Sequence, residues 1–174
     1  LVGCLIVPIG DWVLREACRH AAMWPNHLKV AVNVSGEQLL EPNFARTVVC
    51  ALADSGLPAH RLEVEVTESV FLRDGRTARQ TLEEIMALGC TIALDDFGTG
   101  YSSLSYLRRL PVQQIKIDRS FVQDAVTSSS SASLVRNIVV MGCDLGHEVL
   151  AEGVETKQQH SLLAQFGCTQ FQGY

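Results

Sequence analysis

The sequence holds no cysteine pair at CxxC spacing and no tight cluster of cysteine with histidine. Its six cysteines, Cys4, Cys18, Cys50, Cys90, Cys143 and Cys168, are scattered along the chain. Zinc sites favour short ligand spacings, so this spread argues against zinc. The cysteines read instead as small apolar residues of a reducing cytosol. Basic charge is scarce: 14 lysines and arginines face 19 acidic residues, a net charge of −5. A general nucleic-acid clamp needs a basic face to displace counterions, so DNA and RNA are not expected partners. A small anionic ligand held through metal ions is compatible with that charge. No apolar run is long enough to cross a bilayer. The opening stretch Leu1–Ile9 has no basic segment before it, and Pro8 and Gly10 break it, so it is no signal peptide either. Walker A, HExxH and GxSxG patterns are all absent. The start methionine is missing too, and the chain reads as part of something longer.

What is present is a core. Apolar residues make up 47% and charged residues 19% of 174 positions, which excludes disorder and suffices for one domain over 1–174. Hydrophobic periodicity alternates helix with strand. Asp11–Met23 reads as a helix with Asp11 as its cap. Lys29–Val34 reads as a strand, and Ser35 caps a helix over Glu37–Ser55, ended by Gly56 and Pro58. Arg61–Val66 is a strand, Arg76–Leu88 a helix, Thr91–Leu94 a strand and Ser102–Arg109 a short helix. Gln114–Ile117 is a strand, Ser128–Ser131 a serine-rich loop, and Ser133–Leu145 a helix. Glu148–Ala151 is a strand, Thr156–Phe166 a helix and Cys168–Phe171 a weak strand.

A strand recurs roughly every 30 residues, the pitch of one βα unit, which implies a parallel sheet. An open doubly wound sheet and a (β/α)8 barrel both fit that pattern. Polar residues favour the barrel. Almost every strand ends on a chemically able side chain: Asn33; Glu65 with Glu68; Asp95 with Asp96; Lys116 with Asp118; Glu152 with Glu155; and Gln172. An open sheet gathers its site at one or two crevices, whereas a barrel collects contributions from many strand ends at one mouth. Strand parity agrees. Ala31 and Asn33, Glu63 and Glu65, Ala93 and Asp95, Lys116 and Asp118, and Leu150 and Glu152 each share a face. The opposite parity is Val30, Val32, Val34, Leu62, Val64, Val66, Ile92, Leu94, Ile115 and Ile117, an apolar set suited to facing helices. A complete barrel takes about 250 residues, so this one is expected to be incomplete, unstable in isolation and nearly inactive alone.

Carboxylates converging on one mouth repel each other unless a cation intervenes. Oxygen ligands without thiol or imidazole suit Mg²⁺ or Mn²⁺. The adjacent pair Asp95–Asp96 points to two ions, because one carboxylate can bridge them. Two metals about 3.5–4 Å apart are a known clamp for in-line displacement at phosphorus. Lys116 adds a positive charge able to orient water or a phosphate oxygen. Singly, each residue has a plainer explanation: an Asp-Asp after a strand is usually a turn, and Lys116 could neutralise a buried Glu63. Jointly, their placement at successive strand ends is hard to obtain by chance. The Gly98–Ser103 segment resembles a GxGxxG turn, but Ser103 replaces the third glycine and two aspartates precede it, so it is a weak dinucleotide signal. A metal-dependent barrel lyase is a further, weaker alternative.

The segments Ala31-Val-Asn33-Val-Ser35, Glu65-Val-Thr67-Glu68-Ser69, Asp95-Asp-Phe-Gly-Thr-Gly-Tyr101, Lys116-Ile-Asp118, Ala151-Glu-Gly-Val-Glu155 and Gln172-Gly-Tyr174 follow one another in this order. In that order they resemble the EAL domains, bacterial cyclic-di-GMP phosphodiesterases. The resemblance covers essentially the whole chain, and DDFGTGYSSLSYL followed by KIDRSFV is its most specific part. It implies a modified TIM barrel, commonly dimeric, that hydrolyses cyclic-di-GMP to linear pGpG with two Mg²⁺ or Mn²⁺ ions. By that resemblance Asn33, Glu65 and Asp95 hold one metal, and Asp95, Asp96 and Glu152 hold the second. Lys116 positions the attacking water. Glu68 braces the loop after the Asp pair, through which a homodimer forms. Asp118, Glu155 and Gln172 lie on the substrate side or behind the metal ligands. The Glu-Ala-Leu motif that names the family belongs upstream of Leu1, with an arginine that meets substrate phosphate. The alternative is a non-catalytic cyclic-di-GMP receptor. An upstream sensory or GGDEF domain and a cytoplasmic setting, with any membrane anchor on other domains, complete the expectation.

Overall fold

A computed structural model of the chain describes residues 3–98 and 110–174. The helix expected over Ser102–Arg109 lies outside the described residues. Contacts divide the chain into two compact units that meet in sequence at Ala93 and Leu94. The first contains α1 (Gly3–Ala21), β1 (Val30–Asn33), α2 (Gly36–Leu39), α3 (Phe44–Ser55), a 3-10 turn (Ala59–Arg61), β2 (Leu62–Thr67) and α4 (Ser69–Ala87). The second contains β4 (Gln114–Ile117), α5 (Arg119–Ala125), α6 (Ser129–Asp144), β5 (Glu148–Ala151), α7 (Lys157–Gln165) and β6 (Gln170–Phe171). Strand β3 (Thr91–Phe97) gives its first residues to one unit and its last to the other.

The strands follow the order β1-β2-β3-β4-β5-β6. That consecutive order decides between the two architectures open from sequence. A doubly wound sheet reverses its order at a switch point, whereas consecutive right-handed βα winding is that of a (β/α)8 barrel. The β1/β2, β4/β5 and β5/β6 pairs are parallel, with Asn33 beside Glu65 and Lys116 beside Leu150. The apolar parity set is buried throughout, from Val32 and Val64 to Ile115 and Ile117. In the second unit α6 packs on β4 and β5. A one-residue slip of any strand would turn these side chains over, at about 1.5–3 kcal/mol each, so register is firmly set.

Several helices depart from the sequence reading. Helix α1 begins at Gly3, not Asp11, and runs through Pro8. Pro8 lies past the first turn and has no N–H to give the carbonyl four residues back. The helix expected over Glu37–Ser55 is two. Ser35 and Gln38 form a capping box for α2, each side chain accepting from the other's backbone N–H at 3.2 Å. Pro42 then denies Glu41 the helical conformation, and α3 restarts at Phe44. Helix α4 starts before Arg76 and kinks at Asp74, whose carboxylate accepts from the Thr77 N–H (3.1 Å) and hydroxyl (2.7 Å), re-capping the second segment. The serine run expected as loop is instead the first turn of α6: Ser128 accepts from the Ser131 N–H at 3.3 Å. Helix α5 had no sequence signal beyond its cap, Asp118. Buried Arg61 ties the first unit together, donating to the carbonyls of Leu28 (2.7 Å), Ala21 (2.8 Å) and Pro25 (3.2 Å).

Candidate metal centre

Four of the expected residues meet in the second unit. Asp95 and Asp96 end β3, Lys116 lies on β4, and Glu152 follows β5. One carboxylate oxygen from each of Asp95, Asp96 and Glu152 lies within 4.8 Å of the others, the arrangement of a cation site. Lys116 Nζ lies 2.6 Å from Glu152 Oε1 and 3.2 Å from Asp95 Oδ1, and its side chain is 6% exposed. Lys116 therefore pairs with the cluster.

Consecutive strand residues point to opposite faces, yet both aspartates join one cluster. The backbone explains this. Asp96 has φ +52°, the sole positive φ at a non-glycine among the described residues. That left-handed turn breaks the alternation and swings the second carboxylate round. Such conformations cost about 1–3 kcal/mol and persist where the surroundings over-determine them. Burial, followed by the charges of Asp95, Asp118 and Glu152, raises the Asp96 carboxyl above its ordinary value, with Lys116 offsetting only part.

The donor set fits a hard divalent cation. Three carboxylates against one lysine leave two formal negative charges in one cluster. Asp95 Oδ1 is buried and makes no hydrogen bond among the described residues, although Lys116 Nζ lies 3.2 Å away. A buried carboxylate oxygen in that position is suited to a cation. The Glu152–Gly153 turn is also built tightly: Gly153 has φ +65°, and a Cβ there would come within 2.4 Å of Arg119 Cβ. Only glycine permits this approach.

In the first unit Asn33 and Glu65 sit side by side across β1 and β2. Asn33 Nδ2 donates to Glu65 Oε2 at 2.9 Å, which fixes the amide's orientation. Glu65 is 6% and Glu68 8% exposed, low values for carboxylates. Of the outlying residues, Asp118 caps α5, accepting from the Ser120 N–H at 2.9 Å and from the Ser120 hydroxyl. Its nearness to Asp96 is electrostatic. Glu155 and Gln172 are exposed and share with Glu152 a cleft of about 370 Å³. Arg119 lines the same cleft and was missed from sequence; its signal was its place next to Asp118 at the end of β4. A larger cleft of about 530 Å³ adjoins Glu155 and His160 but lacks Asp95, Asp96 and Glu152, so volume does not mark the chemistry here.

Residues 4–174 match the EAL domain family. The bifunctional diguanylate cyclase/cyclic di-GMP phosphodiesterase MucR of Pseudomonas aeruginosa is 42% identical over 174 residues, covering 98% of this chain and 25% of that protein. A cyclic di-GMP phosphodiesterase of the same organism is 39% identical over 173 residues, covering 98% of this chain and 30% of its own length. Among solved structures, the MucR phosphodiesterase in complex with cyclic-di-GMP is 43% identical with a TM-score of 0.91, covering 97% of this chain and 70% of that one. The EAL domain of Mycobacterium smegmatis DcpA is 38% identical with a TM-score of 0.89, covering 99% and 78%. This chain spans about a quarter of the curated relatives' length. Together with the consecutive α/β winding and the acidic cluster at the strand ends, the match shows that the chain belongs to the EAL domain family.

Proposed function

We propose that the protein carrying this chain hydrolyses cyclic-di-GMP to linear pGpG. The observation that carries the reading is the cluster of Asp95, Asp96 and Glu152 with buried Lys116 set against it. Two relatives whose names include cyclic di-GMP phosphodiesterase support it.

In this reading Asn33, Glu65 and Asp95 hold one divalent ion, while Asp95, Asp96 and Glu152 hold a second, each Mg²⁺ or Mn²⁺. Two such ions, when bound, supply Lewis acidity: they make water a nucleophile at neutral pH and stabilise the leaving oxygen. The protein's own part is placement. Asp95 would be shared between the two ions, and the left-handed turn at Asp96 delivers a second carboxylate from the next position. Lys116 is held at the cluster's edge by Asp95 and Glu152, from where its ammonium orients the attacking water. Glu155, Gln172 and Asp118 face the substrate side. Glu68 steadies the segment after the Asp pair, through which two copies associate. A sensory or GGDEF domain accompanies the chain, which works in the cytosol with any membrane anchor on other domains.

The test is incubation of the full-length protein with cyclic-di-GMP and Mg²⁺ or Mn²⁺, with products separated by chromatography. Linear pGpG that disappears on chelation is expected. Tight binding with unchanged substrate would overturn the enzymatic reading in favour of a receptor.

A further inference from the structure

Two residues beyond Asp96 the chain reaches Gly98, with φ +102°. A Cβ at Gly98 would lie 3.0 Å from Cε2 and 3.2 Å from Cζ of Phe121, and 3.6 Å from Cδ1 of Ile138. The backbone leaving the Asp pair is thus pressed against the Phe121 ring, with Ile138 of α6 beside it. Phe97, between Asp96 and Gly98, is buried. Phe121 is itself held. It projects from α5, whose first turn is pinned by the Asp118 cap on Ser120 and whose Val122 is buried. Helix α5 packs on α6.

A strained conformation survives only where its neighbours leave no alternative. At Asp96 two residues of positive φ fall within three positions, and the Phe121 ring, with Ile138 beside it, backs the second. We propose that Phe121 is a positioning residue for Asp96: through its contact with Gly98 it holds the turn that brings the second carboxylate of the pair into the metal cluster. This rests on the metal reading above. Phe121 is no ligand and is not placed against substrate. Its part is to keep the turn closed, as residues behind metal ligands do when their loss weakens binding about 10–100-fold.

The experiment measures Mn²⁺ affinity by the paramagnetic resonance signal of free ion, in the full-length protein with Phe121→Ala, Phe121→Leu and, as control, Leu163→Ala. Leu163 is a buried core residue of α7 in the same unit. Phe121→Ala is expected to weaken Mn²⁺ binding by about 10-fold or more, with Phe121→Leu intermediate and Leu163→Ala unchanged. Turnover of Phe121→Ala should recover as Mn²⁺ is raised. If Phe121→Ala does not fold, Phe121→Leu is read in its place. Wild-type affinity in both Phe121 variants, or equal weakening in Leu163→Ala, overturns the inference while leaving the metal site standing. A wild-type protein that binds no Mn²⁺ overturns both.

Discussion

Replacing Lys116 with methionine removes the cation seen facing Asp95 and Glu152 while keeping the side chain's length. At 2.6 and 3.2 Å, and with an effective dielectric near 20, the two attractions are about 6 and 5 kcal/mol gross. Most of that offsets the cost of burying the charges. The net loss on breaking a buried pair is about 3–5 kcal/mol. For a chain of this size that is a fall in melting temperature of about 6–20 °C without metal. A bound ion works the other way. Mn²⁺ at about 100 times its Kd returns about 2.7 kcal/mol, and it binds better where no lysine competes for the carboxylates. The Mn²⁺-induced rise in melting temperature should therefore be larger for Lys116→Met than for wild type, while turnover falls about 10²–10⁴-fold. Calorimetry with chelator and with Mn²⁺ reads both stabilities. An unchanged metal-free melt, or equal Mn²⁺ shifts in the two proteins, would show that Lys116 does not balance these carboxylates.

Other outcomes follow from the same structure. The Asp96 carboxyl is raised in the folded state, so without metal its contribution to stability is full below the unfolded carboxylate value and lost as pH rises through the raised one. Urea midpoints from acid to neutral pH in chelator should carry a falling component that Asp96→Asn lacks; identical profiles would refute it. Burial pushes the Cys18 and Cys90 thiols up to about 11. At pH 8 iodoacetamide should therefore label exposed Cys143 while Cys18 and Cys90 stay unmodified in folded protein, as peptide mass mapping would show. Arg61→Ala removes the buried guanidinium that bonds the carbonyls of Ala21, Leu28 and Pro25 and should cost about 1–3 kcal/mol in chemical denaturation.

The strand pattern was legible because it rests on the strongest local signal, β-branched alternation: Gln114–Ile117 and Glu148–Ala151 match the observed strands. Parity also separated the buried valines and isoleucines from the polar strand ends. The helix starts were less legible. The apolar pattern over Glu37–Ser55 runs across Pro42, which has no N–H and constrains Glu41, so the one expected helix is two. Serines 128–131 looked like linker by composition, but a serine ahead of a helix is a cap, and only the tertiary contact of α6 with β4 and β5 makes the helix form there. For the site, residue types and strand ends pointed to Asp95, Asp96, Lys116 and Glu152. What sequence could not express is how adjacent aspartates reach one cluster. That needs the positive φ at Asp96, which aspartate tolerates better than most residues but which only the folded turn imposes. Phe121 and Arg119 escaped for the same reason: each matters through a neighbour distant in sequence.

In the proposed reading Asp95 joins two metal sites of a cyclic-di-GMP hydrolase. Steady-state hydrolysis by the full-length protein and its Asp95→Asn variant, at saturating Mg²⁺ or Mn²⁺, puts that role to the test. Asparagine keeps the side chain's size and removes its charge. Wild type should produce pGpG, and the variant, with its fold confirmed by its melt, should run at the background rate. Near-normal turnover by Asp95→Asn would rule out a shared carboxylate at this position.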